Sequence, residues 1–268
     1  MVTQETKRRD SADAVRAAAR EFDRDRYLAA LLAPQRARDG LMALAAFHGE
    51  IARVPLTVRE AAIGDIRLQW WRDALLTPAA TATGNPVADA VRATMREHAL
   101  SDEMLIEIVD AYAHMLEAGT LTSTAAIDAH AKAAQGAMFR AAAQILGSPT
   151  AAPVADLLAA AGQSYGRVQL LRALPLLVSK GRNPFGNGDA GAFAPSLLKQ
   201  AKAELSRARQ LATAAPATIL PAILPLALVE PYLAALEGVG SHVADQRADI
   251  SPITRVWRLL KASTLGRV

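Results

Sequence analysis

Side chains whose types and spacing could do chemistry are densest in Gly162–Pro175, which reads G-Q-S-Y-G-R-V-Q-L-L-R-A-L-P. Gly162 and Gly166 lie four apart and so share one face of a helix. The missing side chains there let a neighbouring helix or a ligand reach the backbone. Gln163, Arg167, Gln169 and Arg172 add hydrogen-bonding and anion-binding groups to the same turns. Two readings stand: tight helix packing with two solvated arginines, or a binding site on a bare helix face. Elsewhere the inventory is thin. The histidines at 48, 98, 114, 130 and 242 fall in no metal-binding spacing, and no nucleophile elbow or phosphate-binding loop is present. The chain has no cysteine, which excludes disulfides, thiolate zinc sites and a cysteine nucleophile. No cofactor is expected.

The elements that must position these groups are helices. The 268 residues are half apolar and poor in aromatics, and neither β-branched runs nor hairpin turns appear. Helical patterns are expected from Ser11 to about Leu32, from Pro34 to about Val54, and over Val58–Leu76, where Ile63, Ile66, Trp70 and Leu75 are expected inward and Trp71 and Arg72 elsewhere. After Pro78 a small-residue linker runs to Pro86. Helices follow over 87–99, 102–118, 125–146 and 152–177, then 195–214, 217–228 and 231–236. Lys180–Pro195 holds four glycines and two prolines and reads as a mobile loop, either a plain connection or a lid. The apolar stretch Ala212–Val229 is interrupted by three prolines and reads as kinked buried helix, so no membrane span is expected. In the tail, Ile253, Val256, Trp257 and Leu260 share a face rimmed by Arg255, Arg258 and Lys261. That helix either docks on the body or touches a membrane. Residues 1–9 are expected to be a flexible N-terminus without a secretory signal, and residues 10–268 one all-α domain. The net charge of +4 is not gathered into a block, which argues against nucleic-acid binding.

Four stretches together resemble the squalene/phytoene synthase family. Tyr27–Val54, Y-L-A-A-L-L-A-P-Q-R-A-R-D-G-L-M-A-L-A-A-F-H-G-E-I-A-R-V, is similar to the family's opening, and Ile127–Gly147 to its middle helix. Gly162–Pro175 falls where the family has its second aspartate-rich motif, and Pro225–Leu236 resembles a late signature. The resemblance implies an isoprenoid-synthase-like helical bundle around a central cavity. It also marks what differs. The acids of the first motif fall on Ala52, Arg53 and Leu56, and those of the second on Ala173 and Leu177, while Arg172 is kept. Those carboxylates would hold the Mg²⁺ ions that neutralise a leaving diphosphate, so the resemblance carries no metal site over to this chain.

Ala46–Val54, Ile63–Trp71 and Leu171–Pro175 look like A-F-x-x-E-[LI]-A-x-V, I-G-x-x-R-x-Q-[WF]-W and L-R-A-x-P of a branch without those acids. That branch holds a mitochondrial complex I assembly factor and its alphaproteobacterial relatives. Its loop after L-R-A-x-P returns through a basic stretch, whereas Lys180–Pro195 is longer and glycine-rich. The expectation is a non-catalytic isoprenoid- or lipid-binding protein or respiratory-complex assembly factor, cytoplasmic and peripheral to the inner membrane. Its partners would be an isoprenoid or lipid, a protein of a respiratory complex, and a membrane met through the C-terminal basic helix. The expected binding residues are Glu50, Arg53, Arg72, Gly162, Gly166, Gln169 and Arg172, with Arg53, Arg72 and Arg172 at the mouth of an apolar tunnel. A competing reading pairs Arg53 with Glu50 or Asp73 and fills the cavity with side chains. The alternative function is an active prenyl-diphosphate transferase using Glu50, Asp65 or Asp73, which requires acids converging from two helices. A purely structural helical module is the third reading.

Overall fold

The structure, a computed structural model, describes residues 2–78, 81–148, 151–187 and 189–268. Met1 of the expected N-terminal segment, Ala79 and Ala80 of the linker and Gly188 of the glycine-rich loop lie outside the described residues. Among the described residues there is no strand, and the fold is all-α as expected. The helices are α1 (Val2–Phe22), α2 (Arg24–Leu31), α3 (Gln35–Ala52), α4 (Val54–Thr57), α5 (Ala61–Leu76), α6 (Pro86–His98) and α7 (Asp102–Ala113), then α8 (Thr124–Ala131), α9 (Ala137–Ile145), α10 (Val154–Ser179), α11 (Ala194–Ala212), α12 (Leu220–Ile223), α13 (Val229–Val239) and α14 (Pro252–Leu265).

Local signals account for most of the boundaries. The side chains of Asn85, Ser101, Ser123 and Ser251 each accept a backbone N–H in the first turn of the helix they precede. The first expected helix is in fact two, because Asp23 leaves helical geometry and caps α2 through Arg26 N. A five-residue π turn, Lys132–Gly136, joins α8 to α9 and adds one residue to that helical run.

Long α10 is the spine. Its central face carries Gly162 and Gly166, and α8, the π turn and α9 cross it there. A Cβ on Gly162 would stand 2.6 Å from Gly136 Cα, and one on Gly166 2.8 Å from Ala131 Cβ. The two glycines therefore allow helix backbones to touch.

The structure differs from expectation on α5 and in the glycine-rich loop, and it decides which face of α14 is buried. On α5, Ile63, Ile66 and Trp70 are exposed, while Trp71, 5% exposed, packs edge-on against Phe47. The reason is Gly64, whose bare backbone seats Leu116 and pulls the Gly64–Leu68–Trp71–Leu75 stripe inward. On α14, Arg255, Leu259 and Ala262 are buried, and Ile253, Val256, Trp257 and Leu260 point out. The glycine-rich loop is anchored: buried Arg182 donates to the carbonyls of Leu116, Pro55, Val58 and Arg59 at 2.8–3.0 Å, and Phe185 stacks on Phe193.

The apolar stretch that begins near Ala212 is kinked and buried, as expected. Ala217–Ala244 is long and apolar enough by length and composition alone to cross a membrane, its most apolar 18 residues having a mean hydropathy of 1.9 despite the prolines. The structure breaks it into short helical turns with 67% of the window buried in the body.

Candidate functional site

A cavity of about 390 Å³ opens between the start of α2, the ends of α3 and α4, the face of α10 and the approach to α14. Its floor is polar and its walls apolar. The floor begins with D-R-D-R, residues 23–26, at the break between α1 and α2. Asp23 Oδ1 accepts from Arg26 N at 3.2 Å, and its Oδ2 accepts from Arg26 Nη1 at 3.1 Å and from His48 Nδ1 at 2.6 Å. His48 Nε2 lies 2.9 Å from the Tyr112 hydroxyl and 3.1 Å from Gln135 Nε2. Gln135 Oε1 accepts from Arg26 Nη2 at 2.6 Å and closes the ring. The π turn is what aims Gln135 into this ring.

Electrostatics set the charge states. Burial alone would raise the Asp23 carboxyl, but the Arg26 guanidinium and the His48 hydrogen bond bring it down to about 2. Burial pushes His48 below its ordinary value and outweighs the pull of Asp23, so the ring is a neutral imidazole beside an Asp–Arg pair. The Asp–His–Tyr order looks like a proton relay. Its Nε2 end, however, is taken up by Tyr112 and Gln135 inside the closed ring, so it organises the floor and has no substrate-facing base.

A second cluster centres on Asp25. It accepts from Tyr165 Oη at 2.7 Å, from Tyr232 Oη at 2.7 Å and from Arg255 Nε at 2.8 Å. Arg255 Nη2 also donates to Asp249 at 2.8 Å, which Arg172 Nη2 reaches at the same distance. The Arg172 guanidinium lies 3.8 Å from the centroid of the Tyr232 ring, and its Nη1 donates to Gln169 Oε1 at 2.7 Å. Burial and the neighbouring Asp25 charge hold both tyrosines above the usual phenol range. His130, also in the wall, is pushed down to about 4 by burial.

The expected site residues divide. Gly166, Gln169 and Arg172 line this cavity. Gly162 is spent on the helix crossing. Glu50 and Arg53 sit at a separate surface depression beside Trp70, where Arg53 pairs with Glu50 at 2.9 Å and covers the Phe22 ring. Arg72 pairs with Asp110 at 2.6 Å between α5 and α7. So Arg53 and Arg72 are not at the tunnel mouth, and the pairing of Arg53 with Glu50 is the one the competing reading named. Asp23, Asp25, Arg26, His48, Gln135, Tyr165 and Arg255 are the polar groups that sequence reasoning missed. For Asp23, Asp25 and Arg26 the one signal is a run of four consecutive charges inside an apolar helical pattern, which ordinarily marks a solvated face; His48, Gln135, Tyr165 and Arg255 carry no such signal.

Of the positions on which the resemblance places metal-binding acids, Ala52, Leu56, Ala173 and Leu177 all line this cavity. They converge from α3, α4 and α10 and offer no oxygen. Among the described residues no three His, Asp or Glu side chains come together as a metal cage. The acids on the floor are each bound to arginine or tyrosine. This donor set does not fit a Mg²⁺ pair.

Comparison with known proteins agrees with the architecture. The chain is similar to a squalene synthase, HpnC, from Alicyclobacillus acidocaldarius, at TM-score 0.70 and 16% identity, covering 88% of this chain and 96% of that one. It is similar to a dehydrosqualene synthase solved with a ligand, at TM-score 0.75 and 12% identity, covering 97% and 98%. In sequence it is 28% identical over 246 residues to NADH dehydrogenase (ubiquinone) complex I, assembly factor 6, of Mus musculus, covering 82% of this chain and 72% of that one. The Homo sapiens protein of the same name is 30% identical over 162 residues, covering 58% and 47%. Residues 19–185, which hold the D-R-D-R turn, the acid-free cavity positions and all of α10, match the squalene/phytoene synthase description, and the chain belongs to that family.

Proposed function

We propose that this chain is a non-catalytic member of the family, a respiratory-complex assembly factor whose cavity holds an isoprenoid or lipid. One observation carries the reading: Ala52, Leu56, Ala173 and Leu177 turn an apolar wall into the cavity where the family resemblance would place acids. Without carboxylates a departing diphosphate has no electrophilic assistance, whereas an apolar chain gains a dry wall. The floor arginines Arg26, Arg172 and Arg255 are already paired, and exposed Arg24 and Arg247, which also line the cavity, are the cations placed to meet a polar head group. The assembly role is supported by the similarity to proteins named complex I assembly factor 6.

The test incubates the purified chain with farnesyl or geranylgeranyl diphosphate, with and without Mg²⁺, and reads product and melting temperature in the same samples. The expected result is stabilisation without product, insensitive to Mg²⁺, weakened in Arg247→Ala and abolished in Ala173→Phe, which fills the cavity. Product formation that requires Mg²⁺ would overturn the reading in favour of an active transferase. The assembly role is tested by deleting the gene and resolving respiratory complexes on native gels. Loss of assembled complex I, restored by the wild-type chain, is expected; an unchanged complex would end that part of the proposal.

A further inference from the structure

Helix α14 has two faces of opposite character. Toward the body it sets Arg255, Leu259 and Ala262, with Arg255 held by Asp25 and Asp249. Away from the body it sets Ile253, Val256, Trp257 and Leu260, spaced i, i+3, i+4 and i+7 on one continuous stripe. These are exposed, Ile253 by 82% and Trp257 by 65%. A helix on a globular body normally turns its large apolar side chains inward. Here a buried ion pair does the docking and the apolar stripe is left outside.

The charge carried by α14 itself is of one sign. α14 contains no Asp or Glu. Exposed Lys261 follows Trp257 by four residues and flanks the stripe on one edge, next to Arg258. Arg258 is shared with Glu230 at 3.4 Å; Lys261, with Arg267 at the end of the helix, is exposed. The other exposed apolar face, Ile63, Ile66 and Trp70 on α5, is flanked instead by both Arg67 and Asp73 and has no such bias. An apolar stripe with an indole on it and cations along its edge complements the boundary of an anionic bilayer, where acyl chains meet phosphates.

We propose that α14 is a membrane-docking helix, placing the Ile253–Leu260 stripe in the interface of an anionic bilayer with its basic edge on the lipid phosphates. The Asp25–Arg255 pair holds the helix flat against the body, so the stripe is presented without local unfolding. Asp249 and Arg255 also line the cavity wall, which puts docked lipid beside the cavity. The inference rests on the surface of α14 and not on what the cavity holds.

The test is flotation of the full chain with vesicles of phosphatidylcholine alone or mixed with phosphatidylglycerol, with no isoprenoid added. The chain should float with the mixed vesicles, more weakly at high salt and least with phosphatidylcholine alone. Trp257→Glu should lower partitioning by about tenfold or more, since one large apolar side chain leaves the bilayer and a charge of the wrong sign enters. Ile253→Glu, at the most exposed position, is the second variant, read in the same way if the first does not fold. Lys261→Glu should weaken binding to mixed vesicles only, and Ile66→Glu on α5 should bind like wild type. No flotation with mixed vesicles, equal loss in Ile66→Glu, or unchanged flotation in both stripe variants overturns the proposal. So does self-association, seen in sedimentation, that Trp257→Glu abolishes while flotation stays unchanged.

Discussion

Arg255 Nε donates to Asp25 Oδ1 at 2.8 Å across 230 positions of sequence, and both side chains are almost fully buried. This contact fastens the C-terminal helix to the second helix and closes one end of the cavity. A buried ion pair adds little net stability when intact, yet removing one partner leaves an uncompensated charge. Arg255→Ala is therefore expected to cost about 3–5 kcal/mol, measured by urea denaturation. Asp25→Ala should cost a similar amount, and the double variant clearly less than the sum. Additive losses would show that the pair is not coupled.

The helix crossing at Gly162 is asymmetric. A Cβ there would meet the Gly136 backbone at 2.6 Å, whereas a Cβ on Gly136 meets nothing closer than the Arg140 guanidinium at 3.5 Å. Gly162→Ala should destabilise by about 1–3 kcal/mol through forced separation of the helices. Gly136→Ala should be near neutral. Equal melting temperatures for the two variants would contradict this packing.

Arg182 satisfies four backbone carbonyls, one from Pro55 in the first turn of α4, two from the turn after it and one from the turn after α7. Its loss leaves buried acceptors without donors, and Arg182→Ala should cost about 3 kcal/mol. Arg182→Lys should recover little, because a point ammonium cannot span the fork of acceptors. Full rescue by lysine in thermal melts would refute a fork-specific role.

Acid should unfold the chain in two stages. Folding lowers the His130 pKa from 6.5 to about 4 and that of His48 below 6.5, so both favour the neutral form. Their contribution is complete above pH 6.5 and is lost as pH falls toward 4. Folding lowers Asp23 from 3.8 to about 2, and that contribution is lost below pH 4. Melting temperature should therefore decline from pH 6.5 to 4 and go on falling below pH 4. His130→Gln should flatten the first stage; an identical slope in that variant would exclude His130 as a source.

Much of this protein was legible along the chain. Alanine- and leucine-rich periodicity and the absence of strand patterns depend on neighbours within one or two turns, and they determined an all-helical fold. The family likeness placed Gly166, Gln169 and Arg172 in the right helix, and they do line the cavity.

What periodicity could not decide was which of two usable faces turns inward. Trp70 and Trp71 offer α5 equivalent indoles, and the choice fell to Gly64, whose missing side chain matters only once Leu116 arrives from elsewhere. Asp23, Asp25 and Arg26 stand in a run of charges that by itself marks a solvated face, because their partners lie far off, at 48, 135, 165, 232 and 255. Whether a charge is exposed or paired in a core depends on contacts at long sequence separation. Those contacts exist only in the tertiary structure, and they turned Arg53 and Arg72 into surface pairs and made Asp25 the centre of the cavity floor.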